Sequence, residues 1–300
     1  MKAALNILET VGKTPLVRIN KLNPNPAVEI FAKLEGFNPM GSVKERIAVS
    51  MVVAAEKAGT LKKTMILVES SSGNTGIGLA MVAAVKGYQL IVTMPDNVSV
   101  ERRKMLKALG AALVLTPGAK GTDGAWDEAD RIYASDPVKY FRIHQYKDRN
   151  NTDIHYKTTG PEIWEQMEGR IDYLVVGLGT TGTIVGSGRF LKEKNSKLKV
   201  IAVEPTQEHK QQGLRNLTKS RMPDIFDASV VDEKIVVQDA PAFEMTRRLA
   251  KEEAIFAGIS SGSAMWAAAE VSKKAKAGSR MVVIFPDRGE KYLSTELFPE

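Results

Sequence analysis

The chain has 300 residues, with 42 Lys and Arg against 35 Asp and Glu, a formal charge of +7, and 43% hydrophobic content. That length and composition fit a globular protein of two domains, and no apolar run approaches the roughly 18 residues of a membrane helix. The absence of cysteine excludes disulfides, thiolate-held zinc, iron–sulfur clusters and a thiol nucleophile together.

The opening stretch "MKAALNILETVGKTP" has neither a long apolar core nor a small-residue cleavage site, so no secretory leader is expected and a cytoplasmic location is. Basic residues crowd only in "KEKNSKLK" (192–199) and "SKKAKAGSR" (272–280), which read as solvated helix ends. Neither nucleic acid nor membrane is expected as a partner, although a mild positive field would draw in small anionic substrates. The histidines His144, His155 and His209 share no metal-binding spacing, and no metal site is expected.

Strand and helix signals alternate along the chain. A strand region is expected at about 13–35, then the strand "MILVE" (65–69) and a helix through "GIGLAMVAAVKG", closed by Gly87. "YQLIVTMP" reads as a strand. A helix follows from an N-cap at Ser99 to Gly110, with Arg102 and Arg103 facing solvent. "AALVLT" is the next strand, a helix runs from Gly121 to about Ala134, and "KYFRIH" is strand again. The polar stretch "QYKDRNN" (145–151) marks a joint.

After the joint come a helix at "GPEIWEQM", the strand "DYLVVG", a glycine loop, a helix to Lys194 and the strand "KVIAVEP". The tail offers helices at 242–253 and 263–276 and the strand "MVVIFP". Strands separated by helical crossovers imply an α/β fold of open, twisted, mainly parallel sheets with helices on both faces.

Three loops carry chemistry. "YLVVGLGTTGTIVG" contains a G-x-G-x-x-G at Gly177, Gly179 and Gly182, and Glu204 ends the next strand where a ribose-binding acid would stand. Its hydroxyls, Thr180, Thr181 and Thr183, suit a terminal phosphate equally well. In "NPMGSVKERIA", Ser42 and Glu45 form a capping box, which puts Lys44 in the first turn of a helix. The macrodipole there disfavours a cation and favours a neutral amine or its imine, unless the lysine is an ordinary surface residue tolerating a small penalty. In "ESSSGNTGIG", Ser71, Ser72, Gly73, Asn74 and Thr75 collect hydroxyls and free amides that fit an anion or a plain helix cap.

In order and spacing these segments resemble the cysteine synthases (O-acetylserine sulfhydrylases), members of the fold-type II pyridoxal-phosphate enzymes. The likeness runs from "TPLVRI" through "KLEGFNPMGSVKERIA", "SSGNTGIGLA", "MPDNVSVERRKMLKALGA", "TTGPEIW", "GTTGT" and "FAGISSGSA" to "PDRGEKYLST". The last motif and "GTTGT" resemble B-type enzymes more than A-type ones.

The resemblance implies a tryptophan synthase β-subunit-like architecture with an N-terminal domain over 1–148 and a C-terminal one over 149–300. Region 13–35 would pack with the C-terminal domain, and the site would lie in the cleft between the two. It implies the cofactor pyridoxal 5'-phosphate, in Schiff-base linkage to Lys44. Asn74 would meet the ring hydroxyl oxygen, Gly179, Thr180, Thr181, Gly182 and Thr183 the phosphate, and Ser260 the pyridine nitrogen. Ser71, Ser72, Gly73, Thr75 and Gln145 would hold the substrate carboxylate.

The implied reaction is β-replacement, making L-cysteine from O-acetyl-L-serine and sulfide through an aminoacrylate, in a homodimer. Arg215, in "GLRN", is a candidate for an anionic group, as in relatives that use O-phosphoserine or thiosulfate. A cystathionine β-synthase reaction shares the same residues. A serine acetyltransferase partner is not expected of a B-type chain. An NAD-dependent dehydrogenase would leave Lys44, Asn74 and Ser260 without roles.

Overall fold

The computed structural model describes residues 3–71 and 73–298, and among these the strands form two separate sheets. The larger has the order β1 (Leu16–Ile19), β2 (Glu29–Leu34), β10 (Arg280–Phe285), β7 (Tyr173–Gly177), β8 (Lys199–Pro205) and β9 (Glu233–Val237). The smaller runs β5 (Ala112–Thr116), β4 (Leu90–Pro95), β3 (Ile66–Ser70) and β6 (Tyr140–Arg142). Every pairing is parallel except that of β1 with β2. The chain thus leaves the large sheet after β2, builds the small sheet with β3 to β6, and returns at β7.

Burial follows this topology. β7, β8 and β10 lie inside the large sheet and are apolar runs buried on both faces. The edge strands β1, β5 and β9 keep several side chains in contact with water. Around the small sheet, helix α1 (Lys44–Lys57) packs on α2 (Asn74–Lys86). α2 is rich in small residues, and a methyl added at Gly78 would stand 3.1 Å from the Lys44 carbonyl. Glycine there lets α2 lie against the first turn of α1. Gly87, in the left-handed region at φ 75°, closes α2 as the sequence implies.

Three local expectations change. Arg102, expected on the solvent side of α3 (Val100–Ala108), is only 1% exposed. It lies against Gly73, where a Cβ would come within 2.3 Å of its Cδ, and its guanidinium sits 4.7 Å from the Tyr292 ring centre. The polar joint is in part helical: α4 (Gly121–Ser135) and β6 are followed by α5 (Asn150–Ile154), a π-helical turn (His155–Thr159) and α6 (Gly160–Gln166). α7 (Gly182–Lys194) and α8 (Asp239–Glu253) fall near their expected places, but α9 (Ile259–Ser272) begins four residues before Ser263. Gly258 is extended and serves as the N-cap, which draws both serines of "GISSG" into the first turn.

A buried ion cluster joins α1 to the large sheet. Arg46 donates through Nε and Nη2 to Glu35 at 2.7 and 2.8 Å, and through Nη1 and Nη2 to Glu162 of α6 at 2.7 Å each. Lys33 of β2 donates to Glu162 at 2.8 Å, to the Thr14 carbonyl at 2.7 Å and to Gln166 at 2.8 Å. Burial works against ionising Glu162, but Arg46 and Lys33 outweigh it and hold its carboxyl down at about 2.

Removing one partner strands the other charges inside the protein. Arg46→Met is expected to lower stability by about 3–5 kcal/mol in urea unfolding. Glu162 ionises at about 2 when folded against about 4.3 when unfolded, so the stability it adds is complete above the unfolded value. The gap between the parent chain and Glu162→Gln is therefore expected to narrow as pH falls from about 4.5 towards 2.

Candidate active site

A cavity of about 980 Å³ opens where the loops that follow β3, β4, β6, β7, β8 and β10 converge. This is the carboxyl edge of both sheets, where parallel strands hand over to helix N-termini and leave amides unpaired. Lys44, Ser71, Asn74, Thr75, Gln145, Gly179, Thr180, Thr181, Thr183, Arg215 and Ser260 all line it. Gly73 and Gly182 stand behind the lining at the starts of α2 and α7, and Ser72 lies outside the described residues.

Lys44 is the first residue of α1. Half of the expected capping box forms: Ser42 donates from N and from Oγ to the Glu45 carboxylate, each at 3.0 Å, but its Oγ accepts from the Lys44 amide, at 3.2 Å, and Val43 is the N-cap. Burial, assisted by the charge of Lys291, pushes the Lys44 ammonium below its ordinary value against the pull of Asp287 and Glu45. Desolvation therefore favours a neutral amine, in the same direction as the helix terminus.

The turn before α2 is capped by Ser71, whose Oγ accepts from the Gly73 and Gly76 amides at 3.1 Å each. Gly73 has φ 146°, a conformation that a side chain would strain. Thr75 donates to Gln145 Oε1 at 2.6 Å, and Gln145 Nε2 donates to the Ser70 carbonyl at 2.7 Å. Across the cleft, Asn151 Nδ2 donates to the Gln145 carbonyl at 2.8 Å and to Thr180 Oγ1 at 3.1 Å. One amide thus ties the carboxyl ends of β6 and β7 together.

The loop before α7 has the features of a phosphate cradle. Thr181 adopts φ 71°, and its Oγ1 is buried without a partner. A Cβ at Gly179 would approach the Gly213 carbonyl to 2.9 Å, and one at Gly182 would overlap Asn151 Oδ1 at 1.8 Å. Thr180 accepts from Asn151, which leaves its own hydroxyl proton for a ligand. His155 of the π-helical turn touches Thr183 Oγ1 through Nε2 at 3.2 Å and Thr159 Oγ1 through Nδ1 at 2.8 Å. Burial, with Arg46 nearby, keeps this imidazole neutral, its pKa lowered to about 3. The unpartnered Thr181 hydroxyl, the free Thr180 proton and the amides at the start of α7 fit a terminal phosphate, and the glycines let the loop pack closely on Gly213 and Asn151.

Glu204 does not reach this loop. It is buried, accepts from the Leu217 amide and pairs with Lys234 at 2.8 Å, so no ribose-binding acid faces the glycines. Arg215 lines the cavity mouth, but its guanidinium pairs with Asp123 at 2.9 Å and lies 4.9 Å from the Tyr146 ring centre. Among the described residues no group of three or more His, Asp or Glu side chains is placed to hold a metal.

Sequence patterns gave no role to Asn151, His155, Arg102, Asp287 or Lys291. Asp287 and Lys291 belong to "PDRGEKYLST", where an acid and a lysine four residues apart at the end of an apolar strand were the available signal. Asn74 Nδ2 donates to Asp287 Oδ2 at 2.7 Å, and Lys291 Nζ donates to Asn74 Oδ1 at 2.9 Å.

Residues 7–287 match the family described as pyridoxal-phosphate dependent enzymes. The chain is 45% identical to cysteine synthase B of Salmonella typhimurium over 99% of its own length and 97% of that protein. It is 46% identical to cysteine synthase A of Escherichia coli K12, over 97% and 94%. Identity therefore does not separate the A-type from the B-type. The crystal structure of cysteine synthase from Entamoeba histolytica superposes with a TM-score of 0.93 at 40% identity, covering 99% of this chain and 91% of that one. With the lysine, the amide-rich turn and the phosphate cradle on one cavity, the chain belongs to the pyridoxal-phosphate-dependent enzymes, within the cysteine synthase family, and takes pyridoxal 5'-phosphate as its cofactor.

Proposed function

We propose that this chain makes L-cysteine from O-acetyl-L-serine and sulfide by replacement at the β-carbon, with Lys44 as its catalytic residue. The observation that carries the reading is the opening of a desolvated lysine, at a helix start, into the same cavity as Asn74 and the 179–183 loop. The bound cofactor supplies an electron sink for the substrate's α-carbon. Everything else falls to side chains and amides of this chain.

Gly179, Thr180, Thr181, Gly182 and Thr183 hold the phosphate, Asn74 meets the ring oxygen, and Ser260 faces the ring nitrogen. A serine there leaves that nitrogen unprotonated and moderates the electron withdrawal, which suits β-elimination. Ser71, Ser72, Gly73, Thr75 and Gln145 bind the substrate carboxylate. Lys44 Nζ would hold the cofactor and, freed when substrate binds, would take the α-proton and return it after addition. Over the cycle the Cβ–O bond breaks, acetate leaves, and a Cβ–S bond forms with sulfide.

We infer further that the protein is a cytoplasmic homodimer with domains over 1–148 and 149–300, and with no nucleic-acid or membrane partner. The family resemblance supports the dimer and the domains. Among the described residues no helix is long and apolar enough to cross a membrane. A second reading concerns substrate charge. Lys120, Lys210, Lys219 and Arg215 line the cavity, where Lys210, Lys219 and Arg215 pair with Glu296, Glu208 and Asp123; an anionic reactant such as O-phosphoserine or thiosulfate would compete with those carboxylates for them.

Purified protein supplied with pyridoxal phosphate is expected to show a visible absorption band that changes on adding O-acetylserine and returns on adding sulfide. Lys44→Ala is expected to lose about 10²–10⁴-fold in kcat/KM. Absence of any visible band would sink the reading, and turnover with homocysteine in place of sulfide would redirect it to cystathionine formation. Arg215→Ala is expected to depress kcat/KM with O-phosphoserine more than with O-acetylserine. Equal losses would assign Arg215 to holding Asp123 alone.

A further inference from the structure

Asn74 is the one amide side chain at the start of α2, and both of its ends are claimed by the C-terminal segment. An ammonium can only donate a hydrogen bond and an ionised carboxylate can only accept one. Lys291 at 2.9 Å therefore requires Oδ1 on its side, and Asp287 at 2.7 Å requires Nδ2 on the other. The two neighbours agree, and the amide has a single orientation. What remains to Asn74 is one N–H of its amino group and, on the Lys291 side, the second lone pair of Oδ1.

We propose that Lys291 and Asp287 are positioning residues that lock this amide so that an N–H, and never the oxygen, faces the cofactor's ring hydroxyl oxygen. The proposal rests on the reading that Asn74 meets that oxygen and deepens it. A donated N–H would favour the ring oxygen's ionised form over its protonated one, whereas an amide oxygen turned to it would favour the protonated form. The lock selects the ionised form.

The segment that bears the lock is fastened to both helix starts at the cavity. The Val43 amide donates to the Pro286 carbonyl at 2.8 Å, the Gly258 amide to the Asp287 carbonyl at 3.0 Å, and Ser42 forms a β-bridge with Asp287. A Cβ at Gly258 would lie 2.0 Å from Asp287 Oδ1 and 2.6 Å from Tyr292 Cε2, so glycine makes room for the acid. Tyr292 donates to Asp287 Oδ2 at 2.8 Å, and Arg102 approaches the same oxygen at 3.7 Å. Lys291 also donates to the Gly41 carbonyl at 3.1 Å, so its ammonium is aimed before any ligand enters.

The test is the absorption spectrum of the cofactor-loaded protein at one fixed pH, with thermal melting as a check on folding. Lys291→Met keeps the packing and loses the donor. Asp287→Asn keeps the shape and can donate as well as accept. Each is expected to shift the visible-to-near-ultraviolet absorbance ratio about five-fold towards the near-ultraviolet form, the change expected on losing one hydrogen bond. Lys291→Arg, which still donates, is expected to stay near the parent ratio.

Asn74→Ala separates the two layers of the argument. If it leaves the spectrum unchanged, the reading of Asn74 itself fails. If it shifts the spectrum while Lys291→Met and Asp287→Asn do not, the lock is overturned, and lowered melting temperatures alone would then mark both as structural residues. Should Lys291→Met fail to fold, the near-isosteric Asp287→Asn decides by the same ratio.

Discussion

The ion pairs of Arg46 decide where helix α1 begins and which way it faces. Consecutive helical residues are turned by about 100°, so Lys44 and Arg46 point roughly 200° apart. With Arg46 fixed to Glu35 and Glu162 on one side, Lys44 is turned to the other, into the cavity. The capping box at Ser42 and Glu45 sets the axial position of the same turn, and Gly78 lets α2 lie directly against it. A charged cluster buried between the sheet and the helices is poor evidence of stability for its own sake. Its value here is directional, because an apolar substitute would hold α1 without fixing its rotation.

The glycine loop shows how one sequence signature can arise from a different need. Gly177, Gly179 and Gly182 are spaced as a dinucleotide fingerprint, yet what each makes room for is the chain itself: Leu214, the Gly213 carbonyl and Asn151. Both kinds of loop bring backbone amides at a helix start against a phosphate, so the glycine spacing recurs. The distinguishing feature lies outside the motif. A dinucleotide site needs an acid at the end of the next strand facing the ligand, and Glu204 is turned into the protein against Lys234.

What the sequence made legible was local. Periodic apolar runs located the strands, glycines at positive φ closed the helices, and the serine–glutamate spacing found the start of α1. Lys44, Asn74 and the threonines of the 179–183 loop stood out because helix starts and strand ends are local features. Arg102 was misplaced because its burial depends on Gly73, 29 positions earlier, and on Tyr292 near the far end of the chain. Asn151 looked like linker, since nothing in "DRNN" announces contact with Gln145 and Thr180. The serines of "GISSG" fall outside the helix that the sequence implies from Ser263, because an extended Gly258 as N-cap leaves no strong signal in sequence.

The same reasoning explains why the C-terminal segment belongs to the site even though it supplies no residue that the motifs single out. A parallel sheet brings each strand's carboxyl end to one edge, and β10 lies centrally in the large sheet, next to β2 and β7. The chain leaving β10 must therefore pass between the starts of α1 and α9, where amides are unpaired and readily bonded. Asp287 and Lys291 arrive beside Asn74 from 213 and 217 positions away through topology alone. An acid and a lysine in that segment act on the amide from opposite ends, so its orientation is set by Asp287 on the cavity wall and by Lys291 behind it.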